Sequence, residues 1–557
     1  MSHSTPRIIA DAYVETLADL DPSVGSSLGI RPGQDALPDF SPEGLDAVAD
    51  AQRATLGELD AAEAAAGGSE QLPEGERRAA RLLRERLTAA LDLHDAGDDL
   101  RQVRNLFSPV SQLRSTLLQM PTETADDWAV IARRLRNTPA ALTRYTEGLT
   151  AGIDRGLTVA PRQALVLAGQ LGEWLDSDWY GTFAAGGPEA LRPELDRAAT
   201  EVDAALDGVR RFLTDTYVPA AEGTPDAVGR ERYLRGARSW TGAQLDLDDA
   251  YAYGWSEFHR LREEMRHVAE RILPGESTLA VMRHLDRNGE VVEGVDRIRD
   301  WLQALMDRAI GELDGTHVDL AEPVRRVESM IAPPGSAAAP YYTRPSLDFA
   351  RPGRTWLPTR GETSFPTWQL VSIWYHEGVP GHHLQLAQWV YVADRLSKFQ
   401  ASLGSVSATT EGWALYAERL MDELGFLADP AHRLGYLSAQ MMRSVRVIVD
   451  IGMHLGLRIP AGESFHPGER WTPELATEFF ARYTGCAASF TDSEIVRYLG
   501  LPGQAISYKL GERAWLAGRE AARRRAGAAF DAKSWHMAAL SLGSLGLDDL
   551  TDELAAL

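Results

Sequence analysis

The chain has 557 residues, 44 % of them apolar, enough for a sizeable core in one large helical body or in two to four domains. The formal net charge is −23, from 57 basic and 80 acidic residues, which argues against nucleic acid or an anionic membrane as partner. A single cysteine, Cys486, excludes an internal disulfide framework and a thiolate zinc site, and is expected as a small buried apolar residue.

The opening residues, Met1 to Arg7, lack a long apolar run, and no stretch approaches the roughly 20 apolar residues of a membrane span. A cytoplasmic protein is the default expectation. Apolar residues at three- and four-residue spacing predict amphipathic helices over Gly75 to Leu93, Ala125 to Leu149 and Arg192 to Tyr217. Pro121, Pro139, Pro161 and Pro219 are expected to punctuate them. Gly67 to Glu70 and Ala220 to Gly229 read as loops, the second separating an N-terminal helical region (1–230) from the rest (231–557). No strand–helix alternation is visible. The predicted fold is therefore mainly α, a helical body around a deep active-site cleft, with a small irregular or β patch near residues 333–360. Prolines and glycines exclude a long helix in that patch, as in Pro333-Pro334-Gly335-Ser336 and Arg351-Pro352-Gly353.

Three of the 13 histidines fall within eight residues, His376-Glu377-Gly378-Val379-Pro380-Gly381-His382-His383. Neutral imidazole is a favoured zinc ligand. A carboxylate directly after a ligand histidine can stand beside the water at such an ion and take its proton, as in a His-Glu-x-x-His helix. Here Pro380 occupies the place of the second histidine. On an ideal helix, His382 would point roughly 120° away from His376 and His383 only about 20° away. Pro380 and Gly381 disturb that helix, however, and a local bulge could swing His382 round. Spacing leaves the choice open. A third ligand is expected on Thr409-Thr410-Glu411-Gly412-Trp413-Ala414, where Glu411 and Glu418 share a helix face and Thr409 or Thr410 could cap it. Two histidines and one carboxylate leave a position open, the catalytic pattern.

Downstream, Arg446, Asp450 and His454 form one stripe at four-residue spacing on an otherwise apolar helix, with an Arg446–Asp450 ion pair as one reading. The stretch Arg497 to Lys509 reads as a Pro502-Gly503 turn leading into a helix. Arg497 or Lys509 could hold a substrate carboxylate. Tyr498 or Tyr508 could donate to an oxyanion.

Together these stretches resemble the DUF885 family, which is similar to helical zinc peptidases of the oligopeptidase and thermostable carboxypeptidase type. The pattern is His-Glu-x-x-Pro-Gly-His-x-x-Gln at His376 to Gln385, Glu-Gly-Trp-Ala at Glu411 to Ala414, Arg-x-x-x-Asp-x-Gly-x-His at Arg446 to His454, and Pro-Gly-Gln-Ala-x-x-Tyr-Lys at Pro502 to Lys509. Tyr342 and Arg351 are compatible with it. The resemblance is strong from about residue 240 onward and weak before it. It implies His376, His382 and Glu411 as ligands of one Zn2+ ion, with Glu377 as general base and His383 in reserve. Tyr498, Tyr508 and His454 become oxyanion donors, and Arg446, Arg497, Gln504, Lys509, Tyr342 and Arg351 substrate contacts. Leu455 to Arg470 is longer than the family implies and is expected as a surface loop. The implied activity is hydrolysis of short peptides by metal-activated water, with a zinc hydrolase of other amides or esters, or an inactive peptide-binding protein, as alternatives.

Overall fold

The computed structural model describes residues 4–31, 33–333 and 339–557, so Met1 to His3 and Pro334 to Ser336 of the expectations above lie outside the described residues. Helices dominate, and among the described residues none is long and apolar enough to cross a membrane. The chain forms two compact units, Met1–Val228 with Ser493–Leu501, and Gly229–Asp492 with Pro502–Leu557.

In the first unit the three expected helices are Glu74–Asp95, Ala125–Asp154 and Arg192–Phe212, the last continuing into a π-helical turn, Leu213–Tyr217. Pro139 does not punctuate: it lies inside Ala125–Asp154. The missing N–H removes one helical hydrogen bond. Leu135 and Leu142, buried on either side of it, keep both halves on the same core. A capping box between Thr124 and Asp127 starts this helix.

The second unit carries every residue of the histidine–glutamate set. Its first histidine helix, Leu370–Glu377, is followed by a second, His382–Tyr391. A glutamate helix, Ser407–Glu423, lies against Ser507–Ala526, and Pro430–Leu455 packs on Leu247–Ile272. Thr409 and Thr410 do not cap the glutamate helix. They sit inside its first turn, and Thr409 Oγ1 donates to the Leu545 carbonyl instead.

The expected β patch is a three-stranded sheet. Gly353–Leu357 is its middle strand, parallel to Val327–Ile331 and antiparallel to Tyr341–Thr343. The first of these strands lies upstream of the expected patch. The Trp374 indole donates to Ser329 Oγ at 3.0 Å and so ties the sheet to the first histidine helix. A separate pair, Val291–Glu293 and Ser364–Pro366, is antiparallel.

Residues 455–470 are more than a surface loop. Arg458 and Arg470 form an antiparallel bridge, and Ile459 and Phe465 are buried. The Phe465 ring packs edge-on against Phe479 at 5.0 Å between centroids. Cys486 is partly exposed rather than buried.

One contact sets how close the glutamate helix lies to its neighbour. A Cβ on Gly412 would stand 2.3 Å from the Gly511 carbonyl carbon, and one on Gly511 would stand 2.0 Å from the Ala408 carbonyl oxygen. Both obstacles are backbone and cannot rotate away. Gly412→Ala and Gly511→Ala should therefore each lower stability by about 1–3 kcal/mol, read as a shift in the urea unfolding midpoint.

Candidate metal centre

The sequence between the two histidines does not bulge; it breaks the helix in two. The first histidine helix stops at Glu377, and the Val379–Pro380 peptide is cis. The Gly381 N–H donates to the Tyr375 carbonyl at 3.0 Å, so the chain folds back over the end of the helix it has just left. A Cβ on Gly381 would stand 2.0 Å from the His376 carbonyl oxygen, which leaves glycine as the residue that fits. His382 then opens the second helix. The buried Trp413 indole donates to the Pro380 carbonyl at 2.9 Å and the Gly381 carbonyl at 3.1 Å. Trp413 stands two residues after Glu411, so this bond sets the reversal against the glutamate helix.

These constraints bring His376, His382 and Glu411 together, with one potential ligand atom of each within 4.8 Å of the others. Glu411 Oε2 is 3.4 Å from His376 Nε2 and 3.6 Å from His382 Nε2. Ligand atoms held about 2.0–2.1 Å from a tetrahedral ion stand roughly 3.3–3.5 Å apart. Glu411 Oε2 is buried without a hydrogen-bond partner. A buried carboxylate oxygen facing two imidazole nitrogens is an arrangement that a cation satisfies. The three residues thus fit a zinc ion in donor type and spacing, and Glu411 Oε2 has the unmet bonding that a cation satisfies.

The surroundings orient the first ligand. His376 Nδ1 and Glu418 Oε1 are 2.7 Å apart, and Ser372 Oγ donates to Glu418 Oε2 at 2.8 Å. With Nδ1–H donated to Glu418, His376 turns Nε2 towards Glu411, the tautomer a metal needs. Burial would pull the His376 imidazole down, but Glu411, Glu418 and Glu377 outweigh it and push it up to about 9. Burial would raise the Glu411 carboxyl, yet the two histidines hold it well below the usual carboxylate range. Glu377 behaves otherwise. Burial dominates and raises it, against the opposing pull of His376 and His382.

Several expected site residues have other work. His383 is fully buried; its Nε2 is 2.7 Å from the Val324 carbonyl, and Tyr342 Oη stands 3.0 Å from its Nδ1. That pattern uses both ring nitrogens, so His383 is no reserve ligand and Tyr342 holds it rather than substrate. Gly353 makes room for the pair, since a Cβ there would lie 2.4 Å from His383 Nδ1. Arg351 donates to the Arg344 carbonyl at 2.9 Å. Lys509 is fully buried in a network with Glu512, Glu257 at 2.9 Å and Gln440 at 3.0 Å, so it is not a substrate contact. Arg497 and Tyr498 belong to the first unit, and both bond Glu494, the guanidinium through two bonds of 3.0 and 2.7 Å. A guanidinium held in this way is not offered to a peptide carboxylate.

The Arg446 stripe divides. Asp450 Oδ2 accepts from Tyr233 Oη at 2.7 Å and from the Gly503 N–H at 3.1 Å, which fixes the turn ahead of Tyr508. His454 is buried beside Asp450, 3.7 Å from it, and against the Tyr233 ring, a structural place rather than that of an oxyanion donor. The Arg446 guanidinium stacks over the Tyr508 ring at 4.8 Å. Gln504 is buried in the turn between them. Sequence reasoning missed two supporting residues, Ser372 and Arg443. Each stands at helical spacing from a recognised residue, Ser372 four before His376 and Arg443 three before Arg446.

The comparisons with known proteins meet this geometry from the other side. A family of bacterial proteins of unknown function, DUF885, matches residues 22–554. The chain belongs to the DUF885 family. Two solved structures share its fold over 99 % of both chains. A "putative lipoprotein" from Colwellia psychrerythraea is 22 % identical with a TM-score of 0.78, and a "putative lipoprotein of unknown function" from Shewanella oneidensis is 17 % identical with a TM-score of 0.76. No curated protein matches.

His383 gives this DUF885 chain a pH dependence. Burial holds its imidazole down at about 4, against an ordinary value of about 6.5. Below pH 6.5 the unfolded chain takes up a proton that folded His383 refuses. The contribution is therefore full above pH 6.5 and falls towards pH 4, by about 3 kcal/mol at the limit. His383→Gln should be less stable than the wild-type chain at pH 8, and the gap between their urea midpoints should narrow as pH drops to 4.5.

Proposed function

We propose that the chain is a zinc-dependent hydrolase that cleaves the amide bonds of short peptides. The observation that carries this reading is the placement of His376 Nε2 and His382 Nε2 at 3.4 and 3.6 Å from the same buried Glu411 oxygen. These three side chains would hold the ion, and Glu418 holds His376 in register through Nδ1. Zinc in such a site supplies a Lewis acid that polarises a carbonyl and lowers the pKa of water.

Glu377 follows His376 directly and is 8 % exposed. Its carboxylate takes a proton from the attacking water and passes it to the leaving nitrogen. Its raised pKa suits that exchange, because a carboxyl poised above its ordinary value both accepts and returns a proton more readily near neutral pH. Of the three expected oxyanion donors, Tyr508 is partly exposed beside Arg446, whereas Tyr498 and His454 are buried against Glu494 and Asp450. Tyr508 is therefore the donor we assign. The strongly acidic chain, at −23, fits no nucleic-acid partner. Both solved relatives are named as lipoproteins, which gives no support to the cytoplasmic placement expected from sequence.

Metal analysis of the purified chain tests the site. One zinc per chain is expected, lost in His376→Ala and His382→Ala and kept in His383→Gln. Glu418→Gln should weaken zinc affinity about 10–100-fold. Glu377→Gln should keep the metal and lower turnover of a dipeptide and tripeptide library by about 10²–10⁴-fold. A wild-type chain that takes up no zinc, or turnover unchanged in Glu377→Gln, would overturn the reading.

A further inference from the structure

We infer that Arg443 is a positioning residue of the metal centre: its charge holds the buried Glu418 carboxylate in place as the acceptor for His376 Nδ1, so that Nε2 is presented to zinc. This deepens the proposed zinc reading and rests on it for the ion, while the contacts from Arg443 to His376 stand on the side chains themselves.

Three helices meet at Glu418. Glu418 lies on Ser407–Glu423, His376 and Ser372 on Leu370–Glu377, and Arg443 on Pro430–Leu455. Ser372 and His376 are four apart and share a face, so one carboxylate meets both. Glu418 Oε1 is 2.7 Å from His376 Nδ1, and Oε2 accepts from Ser372 Oγ at 2.8 Å. Arg443 Nη2 stands 3.9 Å from the same Oε1. Glu418 and Ser372 are 0 % exposed, His376 is 3 % exposed and Arg443 8 %. A carboxylate so far from water needs positive charge close by. His376 does not supply a lasting one, because a histidine that binds a metal through Nε2 and donates through Nδ1 is neutral. Arg443 stays charged whatever surrounds it. Among the described residues it is the one arginine or lysine that pairs with Glu418, and none pairs with Glu377 or Glu411.

The separation itself matters. At 3.9 Å the guanidinium is too far away to donate a hydrogen bond to Oε1. It therefore offsets the charge without competing for the lone pairs that His376 and Ser372 use. Attraction between charges falls off slowly with distance and stays strong in a dry interior. Among the described residues Arg443 has no second acid, and its Nε is buried without a hydrogen-bond partner. The Tyr508 ring borders the guanidinium, its centroid 6.0 Å from the central carbon. The charge balance around the ion points the same way. Glu377, Glu411 and Glu418 can bring three negative charges to the site, and a zinc ion brings two positive ones. Arg443 is the fixed third.

A double-mutant cycle on zinc affinity tests this, measured on the full chain by competition with a chromophoric chelator. Arg443→Gln is expected to weaken zinc binding about 10–100-fold, as Glu418→Gln does. The double variant, Glu418→Gln with Arg443→Gln, should lose no more than either single one, because the charge that needed Arg443 has gone. Arg443→Lys should recover most of the affinity, since it restores the charge without the guanidinium shape. An arginine that only packs would give losses that multiply, and lysine would not rescue them. Urea midpoints of the metal-free variants should follow the same cycle, with the double variant closer to wild type than Arg443→Gln. If Arg443→Gln does not fold, the double variant is set against Glu418→Gln alone: equal affinity supports the inference and a further loss overturns it. Unchanged affinity in Arg443→Gln, or losses that multiply, would overturn it as well. A wild-type chain that takes up no zinc overturns both proposals. Coupled zinc binding without peptide turnover removes the hydrolase reading alone, and zinc binding without coupling removes this inference alone.

Discussion

The structure of the site hangs on a single shared hydrogen-bond donor, the Trp413 indole N–H, held between the carbonyls of Pro380 and Gly381. The Gly381 carbonyl also accepts from the Gln385 N–H at 3.2 Å, but the Pro380 carbonyl lies in the reversal itself, and a buried backbone carbonyl must find a donor somewhere. Trp413 supplies it from the glutamate helix. The same bond therefore satisfies the turn and sets Glu411 against the two histidines that flank the turn. Three successive residues, Glu411, Gly412 and Trp413, point in three directions because each step of a helix turns about 100°. Glu411 faces the histidines, Gly412 lets the helix press against Gly511, and Trp413 reaches the reversal.

Around this frame, buried charge is matched residue by residue. Glu418 takes His376 on one oxygen and Ser372 on the other. Lys509 is enclosed by Glu512, Glu257 and Gln440, and Glu512 also accepts from Arg419 at 3.1 Å on the glutamate helix. Removing one member of such a set would leave its partner charged and dry, which is far more damaging than losing both.

The mainly helical character was legible from spacing alone, since amphipathic periodicity depends on which residues are apolar and on little else. Ala125–Asp154 shows the limit. Pro139 reads as a stop in sequence, but the apolar stripe continues across it through Leu135 and Leu142, and burial of that stripe outweighs one absent hydrogen bond. Arg497, Tyr498 and Lys509 show a different limit. Each has the chemistry of a substrate contact, and each is already bound to a carboxylate, Glu494 or the Glu257–Glu512 pair. No spacing rule reveals which acid a distant arginine or lysine will meet.

What the sequence determined by itself was the set of chemical groups: two imidazoles and a carboxylate able to bind a cation, a second carboxylate beside the first imidazole, and a Pro-Gly pair no regular helix accommodates. Helical geometry applied to those residues favours His383 over His382. Only the tertiary structure reversed that order, because it replaces one helix by two and turns the chain between them. The physical reason is local and specific. Gly381 has no Cβ to strike the His376 carbonyl, and Trp413, 33 residues beyond Pro380 in the chain, holds the reversal from the glutamate helix. His382 is thereby carried to Glu411, while His383 turns inward to Val324 and Tyr342.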